Sequence, residues 1–165
     1  MPTKLTPELE KEFRPKFNKL KTILTGIHTK SQKYPEEVFN DLYSILSNPI
    51  IHIQALGNIS PNKGMSTPGI DNQTLSGMNM TLINNIALEF KNKTFQFKPF
   101  KRVYIPKPGT KKLRPLGIPT IKDRIVQESI RMILEAIYEP KFESLYFQNY
   151  GFRPNKSCHK AIEFL

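Results

Sequence analysis

The stretch KRVYIPKPGTKKLRPLGIP, residues 101–119, constrains the fold more than any other part of the chain. Val103, Tyr104 and Ile105 favour extended backbone, and the run from Leu113 to Ile118 can return beside them. Between them Pro108, Gly109 and Thr110 supply turn residues, so the spacing predicts a β-hairpin over 100–118 with its tip near Gly109. Pro115 lies inside the return strand. A proline donates nothing to a ladder, so that strand has to be an edge or irregular at that point.

Helical periodicity supplies the other elements. Leu5, Leu9, Phe13, Phe17 and Leu20 follow an approximate helical spacing that Pro15 interrupts, which predicts a frayed or arm-like first helix. Val38, Leu42, Ile45 and Leu46 share a face between Pro35 and an Asn48-Pro49 stop, predicting a helix over 35–48. Residues 60–77, dense in Gly, Pro, Asn, Ser and Thr, read as a loop. Leu82, Ile83, Ile86, Ala87 and Phe90 predict a helix over 80–91. Thr120, with Asp123 three residues on, marks the start of the strongest helix. Its stripe of Val126, Ile130, Ile133, Leu134 and Ile137 ends at Glu139-Pro140. Arg124 and Arg131 share a face of that helix with Glu128, an arrangement suited to intrahelical ion pairs. A tight loop and a further helix follow from Gly151.

Composition bounds the partner. The 165 residues are 38% hydrophobic, enough for the core of one ordinary domain or of one piece of a larger protein. The formal net charge is +11, and residues 98–131 hold ten Lys and Arg against only Asp123 and Glu128. Each cation that neutralises a phosphate releases condensed counterions, so this clustering points to a polyanion, nucleic acid foremost. A solvated basic surface is the bland alternative. A membrane surface fits less well, because the basic stretch is strand-like and not an amphipathic helix.

Several chemistries are disfavoured. Cys158 is the only cysteine, so an internal disulfide and a CxxC metal site are excluded; it reads as a small core residue in a reducing compartment. His28, His52 and His159 are scattered, and adjacent Cys158 and His159 diverge on a helix, so no zinc site is expected. No apolar run approaches the ~20 residues that span a bilayer, and no cleavable signal pattern opens the chain. The G-x-x-x-x-G-K-[ST] phosphate loop is missing. Asp71 in the loop and Asp123 at the helix start read as turn and cap residues.

Lys107 precedes the hairpin turn and Arg114 follows it, so both can reach the same face or edge. Arg offers a planar fork for two phosphate oxygens and Lys a mobile point charge, a pair able to clamp a polyphosphate or a nucleic-acid backbone. Leu116 and Ile118 flank Gly117, and apolar side chains beside a glycine let a flat base lie close to backbone; core packing is the alternative use of both.

FKRVYIPKPGTKKLRPLGIPTIKDRIVQESIRMILEAIYEPKF, followed by YGFRPNKSCHKAI, resembles the amino-terminal part of group II intron-encoded reverse transcriptases, the multifunctional maturases. The upstream loop NKGMSTPGID resembles the segment before the fingers. LRPLGIPTIKDRIVQ resembles the fingers strand and the helix after it, and GFRPNKSCH the second polymerase block. The resemblance runs in order from residue 35 to residue 165.

It implies an α+β chain, with a basic helical extension over 1–34 and, over 35–165, the fingers hairpin, its packing helices and an incomplete palm of a right-hand polymerase. It implies triphosphate contacts from an incoming dNTP for Lys107 and Arg114, with Pro106, Leu116 and Ile118 near the templating base. Lys101 and Arg102 fall near the template strand, and Lys63, Lys111, Lys112, Arg153 and Lys156 on template or intron-RNA backbone. The implied partners are group II intron RNA, an RNA template with its DNA primer, dNTP, and a separate chain carrying the rest of the polymerase. The complete enzyme would use Mg2+ held by an aspartate block and a Tyr-x-Asp-Asp turn, neither of which occurs here. No metal is therefore expected to be ligated by this chain, and no polymerisation by it alone. A non-enzymatic RNA-binding module that assists intron folding and splicing is the alternative, and a degenerate remnant the blandest one. Abundant Asn, Ile and Lys suggest an AT-rich genome and a mitochondrial location, with a plastid or bacterial cytoplasm as alternatives.

Overall fold

The computed structural model describes residues 7–74, 78–145 and 148–164. Helix α5, Ile121–Leu145, is the element on which the helical body is built: α1, Pro7–Lys33, packs against it, as does α3, Pro49–Ile59. Helix α4, Met80–Lys91, lies on α3, and the short α2, Leu42–Leu46, lies on α4. Ile51, Ile83, Ile86, Ile125 and Val126 fill the centre with almost no exposed surface. Each such side chain contributes roughly 1.5–3 kcal/mol by leaving water. Strands β1, Lys101–Pro106, and β2, Leu113–Ile118, form a two-stranded antiparallel sheet, and α6, Cys158–Phe164, closes the described chain. The result is an α+β chain, mostly helical. Among the described residues, no helix is long and apolar enough to cross a membrane.

The hairpin and α4 fall where their local signals put them. Asn79 caps α4 by accepting the Leu82 N–H at 2.9 Å. Thr120 caps the start of α5: its Oγ1 accepts the Asp123 N–H at 3.1 Å and donates to Asp123 Oδ2 at 2.7 Å. Asp71 makes the turn expected of it, its Oδ1 accepting the Gln73 N–H at 3.2 Å. The loop expected over 60–77 is a loop through residue 74, with one 3-10 turn at Lys63–Ser66; residues 75–77 lie outside the described residues.

Two prolines do not stop their helices. Helix α1 continues through Pro15, so the frayed arm expected of the first thirty residues is, from Pro7 onward, one helix; residues 1–6 lie outside the described residues. Around Arg14–Lys16 that helix is exposed to solvent. Helix α5 continues through Pro140, beyond the stop expected at Glu139-Pro140. There buried Ser31 of α1 donates its hydroxyl to the Ile137 carbonyl at 2.5 Å, next to the Ala136 carbonyl that Pro140 leaves without an N–H. Pro140 itself is buried, so its ring adds apolar packing where its backbone loses a donor.

The helix expected over 35–48 is corrected to five residues, Leu42–Leu46. Val38 is 71% exposed, so the apolar stripe that suggested a longer helix is not used as one. Lys30 at the end of α1 pairs with Glu37 at 2.6 Å and lies over the Phe39 ring, holding this segment to α1 in an irregular path. Asn48-Pro49 is a start as much as a stop. Asn48 caps α3 through the Ile50 N–H at 3.1 Å, and Pro49 takes the first helical position, where its missing N–H costs nothing. Cys158 is exposed and not a core residue, because α6 buries none of its side chains.

Candidate nucleic-acid interface

The turn of the hairpin follows from two residues. Pro108 fixes its own φ near the value the second turn position needs, and Gly109 supplies the left-handed φ of +74° that the third requires. The Lys107 carbonyl accepts the Thr110 N–H at 3.2 Å, and the Lys107 N–H donates to the Lys112 carbonyl at 2.9 Å, extending the ladder past Pro106. Register then decides which side chains meet. Ile105 opposes Arg114, Val103 opposes Leu116 and Lys101 opposes Ile118, so these six share one face. Alternation carried one step on puts Lys107 and Lys112 on that same face, beside Arg114. The opposite face carries Arg102, Tyr104, Pro106, Leu113, Pro115 and Gly117.

β2 is exposed from Leu113 to Gly117, so the hairpin projects from the helical body. Lys101, Arg102, Lys107, Lys111, Lys112 and Arg114 make no ion pair and no side-chain hydrogen bond within the described chain. Other cations of the protein behave differently. Lys122 binds Glu89 at 2.6 Å, and Arg131 binds both Glu128 and Glu135. Six uncompensated charges on one small sheet repel one another within a Debye length of about 8 Å, and only an anion from outside relieves that.

Below the hairpin base lies a pocket of about 510 Å³ lined by Leu116, Ile118, Ile59, Met65, Arg124 and Arg131 among others. Its wall opposite the hairpin is the loop at Lys63–Ser66, and Arg124 ties that loop to α5. The guanidinium donates to the Gly64 carbonyl at 2.6 Å, to Thr67 at 2.9 Å and to Pro119 at 3.1 Å. Partial burial lowers the Arg124 pKa, opposed by the charge of Asp71. Gly69 brings the same loop onto the start of α5: a Cβ there would lie 2.8 Å from the Thr120 Cα. Deeper in, burial acts to raise the Glu128 carboxyl, but hydrogen bonds from Arg131 and Asn58 outweigh it and hold the carboxyl below its ordinary range.

The residues singled out in the sequence divide into groups. Lys107, Arg114, Leu116 and Ile118 come together on one face of the hairpin, with Lys101 at its base and Lys111 and Lys112 at its tip. Arg102 and Pro106 point to the other face. Lys63 is exposed in the loop that walls the pocket. Lys156 lies elsewhere, in a cleft of about 1040 Å³ between α1, α5 and α6. Arg153 is turned inward, 7% exposed, its guanidinium holding Glu139 at 2.7 Å and the Asn149 carbonyl at 2.9 Å. The intrahelical reading of Arg131 with Glu128 holds, whereas Arg124 serves backbone carbonyls instead. That role of Arg124 and the close approach at Gly69 had no local signal, since both depend on contacts more than fifty residues away in sequence.

The carboxylates do not suit a two-metal site. Asp123 is buried at the cap of α5, where its Oδ2 accepts the Thr120 hydroxyl and also the Lys98 N–H at 3.3 Å, and Asp71 is spent on its turn. Among the described residues, no three His, Cys, Asp or Glu converge on one point.

An acid-free basic hairpin projecting from a helical body, with an apolar pocket at its foot, is the class of surface that polyanions bind. Among curated proteins the chain is similar to the group II intron-encoded protein LtrA of Lactococcus lactis subsp. cremoris, 45% identical over 141 residues, 86% of this chain and 23% of that protein. It is also similar to an uncharacterized 91 kDa protein in the cob intron of Schizosaccharomyces pombe, 38% identical over 84% of this chain and 17% of the relative. A third relative is the putative COX1/OXI3 intron 1 protein of Saccharomyces cerevisiae, 40% identical over 77% of this chain and 15% of that protein. No family model matches the chain. The chain is a homologue of group II intron-encoded proteins, and it spans less than a quarter of the length of these curated relatives.

Proposed function

We propose that the chain is the fingers portion of an intron-encoded reverse transcriptase and maturase, and that its hairpin binds intron and template RNA and the triphosphate of an incoming dNTP. The observation that carries this reading is the placement of Lys107, Lys112 and Arg114 on one exposed face, unpaired, above the pocket of Leu116 and Ile118. In it, Lys107 and Arg114 grip phosphate oxygens, while Leu116 and Ile118 lie near the templating base; Pro106, expected beside them, stands on the other face of the sheet and apart from that contact. Lys101, Lys111, Lys112 and Lys63 hold backbone phosphates nearby. Lys156 reaches RNA only at a separate place, and Arg153 supports the loop that carries it.

Phosphoryl transfer needs Mg2+ on converging carboxylates, which the described residues do not bring together; in this reading the chain contributes binding and orientation, and the metal-holding residues come from the rest of a polymerase. The same observation favours a second reading, a non-enzymatic module whose RNA binding helps an intron fold and splice. We place the protein in a mitochondrion on its Asn, Ile and Lys content.

Filter binding of a structured group II intron RNA across a salt series tests the proposal. The parent should show a steep fall of affinity with salt, and Lys107→Ala and Arg114→Ala should each reduce the slope by about one. Equal slopes and affinities in all three proteins would refute the hairpin as the contact.

A further inference from the structure

The face of the hairpin turned away from Lys107 and Arg114 has a different chemistry. Tyr104 opposes Pro115 and is 59% exposed; Leu113 opposes Pro106 and is 60% exposed. Phe100, just before β1, lies across Gly117 of β2, where a Cβ would come within 3.3 Å of the ring, and still keeps 55% of its surface in water. Gly117 thus leaves room for an aromatic ring to lie on the strand. Arg102 opposes Gly117 on this face, between the two rings in sequence, exposed and unpaired. At about 3.3 Å per residue, Phe100 and Tyr104 stand roughly 13 Å apart along the strand.

An exposed apolar face of this kind demands an occupant. The face holds a guanidinium and no carboxylate, and the tip cations continue it without an acid, so charge complementarity selects an anionic partner. A sheet face carrying separated aromatic rings and cations is how proteins hold bases that are free to unstack, since every base offers a π-face and the backbone phosphates meet the cations. We propose that this second face, Phe100, Arg102 and Tyr104 with Pro115, is a stacking platform for single-stranded nucleic acid. The hairpin then has two working sides: phosphate on the side of Lys107 and Arg114, and unpaired bases on the side of Tyr104. The inference rests on the hairpin being the nucleic-acid-binding element, and adds a site that recognises strandedness.

The chain contains no tryptophan, so Tyr104→Trp installs a single reporter on this face. With the full chain and a fluorescein-labelled single-stranded oligouridylate, Tyr104→Trp should bind as tightly as the parent, and its indole emission should be quenched at saturation. Tyr104→Ala and Phe100→Ala should each weaken binding about tenfold, without change in the salt slope, because no charge is removed. Both side chains are exposed, so circular dichroism and thermal melting should match the parent.

Binding seen by anisotropy without quenching, or alanine variants that bind like the parent, would overturn the platform. Binding of structured intron RNA with none of the single strand would overturn the platform alone and leave the phosphate face standing. Loss of binding to both RNAs would count against the hairpin as a whole. An emission change that follows protein concentration without RNA would assign the face to a second copy of the chain and overturn the inference.

Discussion

His52 offers the sharpest physical test of the core that carries the hairpin. Its ring has no exposed surface, with Nε2 2.8 Å from the Leu46 carbonyl and Nδ1 2.9 Å from Ser129 Oγ. A carbonyl only accepts, so Nε2 carries a proton. Burial lowers the pKa below the ordinary 6.5, against the opposing bond to Leu46, so the ring is neutral near pH 7 and Nδ1 accepts from the Ser129 hydroxyl. His52→Leu keeps the apolar volume next to Phe90 but leaves the buried Leu46 end of α2 without its donor; Ser129 falls back on the Ile125 carbonyl at 2.9 Å. One orphaned carbonyl costs about 1–3 kcal/mol, which in urea moves the unfolding midpoint by about 1 M. The pH dependence identifies the cause. Because the folded pKa is depressed, the unfolded chain binds the extra proton first. The His52 contribution is therefore complete above about pH 6.5 and falls by up to about 1.4 kcal/mol per pH unit as pH drops towards the folded pKa. Urea unfolding followed by circular dichroism between pH 7.5 and pH 5.5 should show the parent and His52→Leu converging as pH falls. A gap that stays constant or widens would refute the neutral, doubly bonded ring.

Other perturbations separate structural from binding roles. Gly69→Ala should destabilise by about 1–3 kcal/mol in thermal melts, since its Cβ meets the Thr120 backbone and not a side chain that can swing aside. Ser31→Ala should cost about 1 kcal/mol by removing a buried hydrogen bond to the Ile137 carbonyl, measured by the same melts. Arg153→Ala should cost about 2 kcal/mol, less than a fully enclosed pair because Glu139 and Glu143 keep contact with water, and should leave the salt slope of RNA binding unchanged.

What could be read from the sequence was what local chemistry decides. Pro108-Gly109 dictates its turn through two φ values, Thr120 and Asp123 cap a helix three residues apart, and period-2 alternation puts Lys107 and Arg114 on one face. What could not be read was decided by partners distant in the chain. Pro140 reads as a stop by its own nature, yet the helix runs on through it, buried, with the Ser31 hydroxyl, more than a hundred residues earlier in the chain, on the neighbouring Ile137 carbonyl. The stripe from Val38 to Leu46 had the right spacing for a helix, yet Lys30 with Glu37 and His52 with the Leu46 carbonyl shape that segment instead. Arg153 carried the same sequence signal as the hairpin cations, and only the fold turned it onto Glu139.

Phosphate is proposed to meet the chain at the hairpin. An amide chemical-shift map of the 19.1 kDa protein, titrated first with a dNTP and then with intron RNA, tests it residue by residue. The triphosphate should shift Lys107, Lys112, Arg114, Leu116 and Ile118, and RNA should spread the change over both faces of the sheet and to Lys63. Shifts confined to the cleft around Lys156 and Lys160, with the hairpin silent, would contradict it.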